Sequence, residues 1–159
     1  MIRCLNSVRR DEAGASIIEL ALILPVFSTL IIGVADITRA YSQKLILEQA
    51  AYRAIEKVQQ YQATESTYDT LKNEVVAAAA SAGFTDVDAS KVTIDYWLEC
   101  GGVRQSNYDS TCASLPLTAR YITVDVTHNF TPMFASRRWP GSNSDGSYTL
   151  HGRAGLRTQ

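Results

Sequence analysis

Metal-ligating side chains are scarce in this chain of 159 residues, which has two histidines and three cysteines. No Cys-x2-4-Cys or His-x3-5-His pair occurs, so the ligand spacing of a zinc site is absent. The chain also lacks a P-loop, a Gly-x-Gly-x-x-Gly turn and a Gly-x-Ser-x-Gly elbow, and its Ser-rich stretch "SNSDGS" has no His or Lys at catalytic spacing. Charge is equally sparse: 19% of residues are charged, the net charge is −1, and no basic block provides a footprint for nucleic acid. These gaps exclude the common routes to catalysis, metal binding and polyanion binding. The expectation is a chain with no enzymatic activity, no cofactor and no metal.

What the chain does have is a long apolar run. Residues 15–35, "ASIIELALILPVFSTLIIGVA", are interrupted only by Glu19, Pro25 and small polar residues. About 20 residues suffice for a helix to cross roughly 30 Å of hydrocarbon. The run is longer than the apolar core of a secretory signal, so it reads as a retained anchor. Arg3, Arg9 and Arg10 precede it, but Arg39, Lys44 and Arg53 follow, so charge alone leaves the orientation open. The cysteines break the tie. Cys4 lies before the run, while Cys100 and Cys112 lie beyond it, where an oxidising compartment would let them pair. The N-terminus is therefore expected on the cytoplasmic side.

Glu19 is the anomaly in this run, because an ionised carboxylate in a membrane segment costs several kcal/mol unless it is relieved. One relief is to reach the headgroups from its place near the helix start. The other is a partner: a cut between Gly14 and Ala15 would create an α-amino group four residues before the carboxylate. Pro25 has no N–H to donate to the carbonyl of Ala21, so a bend or local loosening of the helix is expected there. Membrane helices tolerate this when neighbouring groups re-satisfy the backbone.

The string "GASIIELALILP", with Gly14 followed five residues later by Glu19, resembles the type IV prepilin cleavage motif. With its basic leader and Pro25 it is similar to the N-termini of TadE-like minor pilins (pseudopilins) of tight-adherence, or Flp, pili. The resemblance covers roughly residues 9–35. It implies cleavage after Gly14 by a membrane prepilin peptidase, docking of subunits through Glu19, and a helix kept as anchor and assembly surface. It further implies association with other Tad/Flp pilins and minor pilins and with an inner-membrane assembly platform. The expected location is then the bacterial inner membrane, single-pass and in contact with lipid, with the C-terminal domain periplasmic or extracellular. Leu20 stands where the major pilin typically has Tyr, and the chain is longer than a major pilin, which favours a minor component. Two alternatives stay open: an uncleaved membrane-anchored binding domain (an adhesin or sensor), and a TadF- or TadG-like component of the same system.

Beyond the membrane, helical periodicity continues. Leu47, Ala51, Ala54, Val58 and Tyr61 recur at alternating four- and three-residue steps, a stripe on one helix face. A single helix over 15–61 would be roughly 70 Å long, and the alanines on its stripe permit close approach of a covering sheet. A second helix is expected to start near Ser66, with Ser66 and Asp69 as a capping pair, and to stop at Gly83. From Lys91 the period changes to two. Val92, Ile94, Tyr96 and Leu98 mark one strand; Ile122, Val124, Val126, His128 and Phe130 mark a second; Tyr148, Leu150, Ala154 and Leu156 mark a third. On that register His128 points to the apolar face and His151 to the opposite one, so they cannot share an ion.

The expected fold class is therefore α+β: a long N-terminal helix, half membrane-spanning and half extracytoplasmic, a second shorter helix, and a three-stranded antiparallel sheet packed on the helix. The resemblance makes this type IV pilin-like. The corresponding segments are a cleaved leader over 1–14, a transmembrane half over 15–35, an extracytoplasmic half over 36–62 and a globular domain over 63–159. Between the first two strands, "CGGVRQSNYDSTC" would be closed by a Cys100–Cys112 disulfide, worth on the order of 3 kcal/mol. Trp97, Tyr108 and Trp139 are read as aromatics that cover the rim of a small core or line a sugar or protein surface.

Overall fold

The computed structural model describes residues 12–60, 65–113, 118–134 and 140–158, apart from the side chains of 12–15, 60 and 65–69. Residues 1–11, most of the expected leader over 1–14, lie outside the described residues, as do Tyr61, Trp139 and the side chains of Ser66 and Asp69. Chain contacts divide the protein into two compact units, Met1–Arg39 and Ala40–Gln159. Helix α1, Glu12–Gln60, contributes to both, and it is assigned as one uninterrupted α-helix through Pro25.

In the first unit, among the described residues, the large apolar side chains of α1 are exposed. Ile17, Leu22, Val26, Phe27, Ile31 and Val34 are each more than half exposed and lie on every side of the helix. An α-helix that is apolar all round requires an apolar surrounding medium. This one is long and apolar enough to cross a bilayer once.

In the second unit α1 changes character. Leu47, Ala51, Ala54 and Val58 are buried, joined by Ala50 and Ile55. Helix α2, Glu65–Ser81, adds Leu71, Val75 and Ala79 at four-residue steps, all buried. It ends in a Schellman arrangement: the amide of Phe84 donates to the carbonyl of Ala79 and that of Gly83 to Ala80. Gly83 takes φ +97°, which a side chain would resist. Phe84 then folds back into the core beside Ala79. A short 3-10 turn, Ala89–Lys91, follows, capped by the Asp88 carboxylate, which accepts from the amide of Ser90.

The sheet has strands β1 (Val92–Cys100), β2 (Val103–Arg104), β3 (Thr118–Phe130) and β4 (Tyr148–Arg157), all antiparallel, in the order β2-β1-β3-β4. The expected three strands are present, and the fourth, β2, corrects the count. Gly101 and Gly102 take φ +62° and +81°, forming a two-residue turn with both residues left-handed. That turn closes Cys100 against Val103 and Glu99 against Arg104. A two-residue strand is too short to show an alternation, so the double glycine is its only signal.

Register explains the core. Val92 lies opposite Val126, Ile94 opposite Val124 and Tyr96 opposite Ile122. On the other side of β3, Ile122 meets Leu156, Val124 meets Ala154 and Val126 meets Gly152. These rows form the face that packs with α1 and α2 in one cluster. Burying each full-sized side chain contributes about 1.5–3 kcal/mol. Gly152 marks the tightest approach: a Cβ there would stand 2.4 Å from the carbonyl carbon of Leu47 and 2.6 Å from the amide nitrogen of Glu48. The backbone of α1 therefore rests directly on β4.

Candidate processing and assembly site

Gly14 and Ala15 fall within the first turn of α1, which begins at Glu12. The first four amides of a helix have no intrahelical partner, so this turn opens more readily than the helix interior. Glu19 lies one turn further along, exposed. Among the described residues its carboxylate has neither a hydrogen bond nor an ion pair. An acid in an otherwise apolar exposed segment is thus left without a partner inside its own chain.

Pro25 follows six residues later. Two hydroxyls bond to carbonyls in the turn around it. Ser28 Oγ donates to the carbonyl of Leu24 at 2.8 Å, and Thr29 Oγ1 donates to that of Pro25. Back-bonding of this kind shields polar groups within a helix and eases local bending. The apolar stretch ends at Asp36 and Arg39, whose side chains approach to 3.2 Å one turn apart.

Residues 14–55 match the family model of TadE-like proteins. The match starts at Gly14, contains Glu19 and Pro25, and runs into the buried stripe of α1 at Ile55. No curated protein and no solved structure matches the chain. The TadE-like segment supports association with a tight-adherence pilus. It also joins the two halves of α1: the exposed apolar part and the part that anchors the α+β domain.

In that domain, Cys100 and Cys112 are joined by a disulfide with their Cα atoms 5.5 Å apart. The histidines occupy opposite faces of the sheet. His128 sits near the end of the packed face, its Nδ1 3.0 Å from both oxygens of Asp86 and its ring edge-on to Phe84. His151 Nδ1 lies 3.0 Å from Asp125 on the outer face. Among the described residues no group of three or more His, Cys, Asp or Glu could hold a metal ion.

Asp86 ties the 84–91 segment to β3, taking Lys91 Nζ at 2.9 Å as well as His128. Partial burial raises its pKa, but the Lys91 hydrogen bond and the charge and hydrogen bond of His128 together outweigh that and hold it below 3.8. A carboxylate depressed in the folded state stabilises fully above its unfolded pKa, and that stabilisation is lost as pH falls through the folded value. Below about pH 4 the domain should therefore lose stability, and Asp86→Asn should flatten this acid limb. Melting curves of parent and variant between neutral and acid pH measure it, and identical slopes would show that the pair contributes nothing.

Sequence reasoning missed how the outer face is assembled. Trp97 stacks on Tyr121 from β3, with centroids 5.2 Å apart and planes 17° apart, and Arg104 reaches over Trp97 from β2 at 4.8 Å. Arg104 also pairs with Asp95 at 2.8 Å, and Trp97 Nε1 donates to Glu99 Oε1 at 2.8 Å. Only the outward alternation of Asp95, Trp97 and Glu99 pointed to this row. The pairing register was needed to bring Tyr121 and Arg104 to it.

Proposed function

We propose that the chain is a minor pilin or pseudopilin of a Tad/Flp pilus, a structural subunit without catalytic activity of its own. A prepilin peptidase cuts it after Gly14 on the cytoplasmic face. Residues 15–35 hold it in the inner membrane, and the α+β domain stands outside. There it joins other pilins and the assembly platform in starting or tipping the pilus. The observation that carries this reading is the TadE-like match over 14–55, which begins at Gly14 and encloses Glu19.

Physical chemistry supplies a role for each residue. Glycine at position 14 presents the least bulk to a peptidase that must close on an extended backbone. Cleavage leaves Ala15 with an ammonium group, and Glu19, four residues on, shares its helix face one turn away. Within one subunit or between neighbours, that pair neutralises two charges where water is scarce. Pro25 loosens the helix so that it can leave the bilayer and repack against other helices. The disulfide requires an oxidising compartment, which supports an external domain and a cytoplasmic N-terminus.

Glu19→Ala tests the assembly role. The variant should be cleaved like the parent but should enter sheared pili at about one tenth of the parent level or less, since removing one member of a desolvated pair costs about 3–5 kcal/mol. Immunoblots of membrane and pilus fractions read both steps. Normal incorporation would rule out the pairing.

A further inference from the structure

The disulfide-closed segment and the adjoining end of β1 enclose a cleft of about 430 Å³, within the size range of small-molecule sites. Trp97, Arg104, Gln105, Ser106, Asn107 and Asp109 line it, together with the Tyr96–Tyr108 pair. We infer that this cleft binds a neutral saccharide, through the polar side chains of 105–109 and the ring of Tyr108.

Three observations carry the inference. The first is a set of unused polar atoms. Gln105 Nε2 donates to the carbonyl of Val103 and Asn107 Oδ1 accepts from the amide of Asp109, which leaves Gln105 Oε1 and Asn107 Nδ2 free among the described residues. The Ser106 hydroxyl and the Asp109 carboxylate have no hydrogen-bond partner there either. Two acceptors, an amide donor and a hydroxyl that does both suit neighbouring sugar hydroxyls, each of which is itself donor and acceptor. They do not suit an apolar peptide.

The second is charge. Arg104, the only cation in the lining, is already paired with Asp95 at 2.8 Å, and Asp109 adds an unpaired negative charge. Its lining therefore offers no uncompensated positive charge to hold phosphates, sulfated glycans or anionic headgroups. The third is preorganisation. Tyr108 meets Tyr96 edge-on at 5.3 Å, and Arg120 lies over Tyr108 at 5.6 Å. The Cys100–Cys112 bond and the amide of Gln105, which donates to Leu98, fasten both ends of the segment. A cleft held in shape avoids much of the ordering cost of binding, while the Tyr108 ring in its lining offers apolar contact to sugar C–H groups.

This goes beyond the pilus reading and requires neither cleavage nor assembly, so either can fail alone. The test is isothermal titration of the full chain in lipid nanodiscs free of sugar-headed detergent, with chitotriose, maltotriose and mannotriose. A heparin tetrasaccharide and an unstructured acidic peptide complete the set. Binding of at least one neutral trisaccharide is expected, weakened about tenfold in Asn107→Ala and in Asp109→Ala with melting temperatures unchanged. Absence of binding by all three sugars would overturn the proposal. So would binding that neither substitution weakens, or a preference for the heparin fragment or the peptide.

Discussion

Gly152→Ala should destabilise the α+β domain by about 3 kcal/mol or more, at or above the upper end of overpacking costs. The new methyl group would stand 2.5 Å from Cβ of Leu47 and closer still to that residue's carbonyl carbon. Most of the obstruction is helix backbone, which no rotamer change can remove. Relief requires α1 to lift from β4, which would loosen Leu47 and Ala51, both fully buried. For a domain of this size, about 4 °C of melting temperature is lost per kcal/mol, so a drop of roughly 12 °C is expected. Gly155→Ala is the matched control. Its added Cβ would meet Cγ2 of the half-buried Thr123 at 3.2 Å and the carbonyl oxygen of Ile122 at 3.5 Å, an ordinary contact distance, so its effect should stay within about 1 kcal/mol. Equal melting of both variants would show that α1 is not seated on Gly152.

The second large effect concerns the disulfide. Replacing Cys100 and Cys112 together by serine should cost about 3 kcal/mol in the chain-entropy description, because the open loop gains freedom when unfolded. Melting should fall by roughly 12 °C, and reducing the parent protein should reproduce the shift. A double variant that melts like the oxidised parent would mean that loop closure does not stabilise the domain. The same variant should weaken any saccharide bound in the cleft, since Arg104 through Asp109 lie inside the closed loop.

Much of this was legible because the relevant signals are local. Membrane length and composition mark the apolar half of α1 without reference to the rest of the fold. The stripe through Leu47, Ala51, Ala54 and Val58 is a period, and all four residues are buried. Alternation found β1, β3 and β4, and it placed His128 and His151 on opposite faces of the sheet. What escaped depends on distant partners. Gly152 within "HGRAG" gives no sign that a helix backbone rests on it, since Leu47 lies far away in sequence. The Asp86–His128 pair joins a loop to a strand and follows no short-range pattern. Strand β2 is below the length at which alternation exists, and its double glycine reads equally well as a loop. The Arg104–Trp97–Tyr121 row needs the register of three strands at once.

The most direct measurement is the N-terminal mass of the protein purified from cells with and without a prepilin peptidase. A processed subunit starts at Ala15 only when the peptidase is present, and Gly14→Ala should remain almost entirely uncut. An intact Met1 in both strains would contradict the pilin reading and leave a membrane-anchored domain in its place.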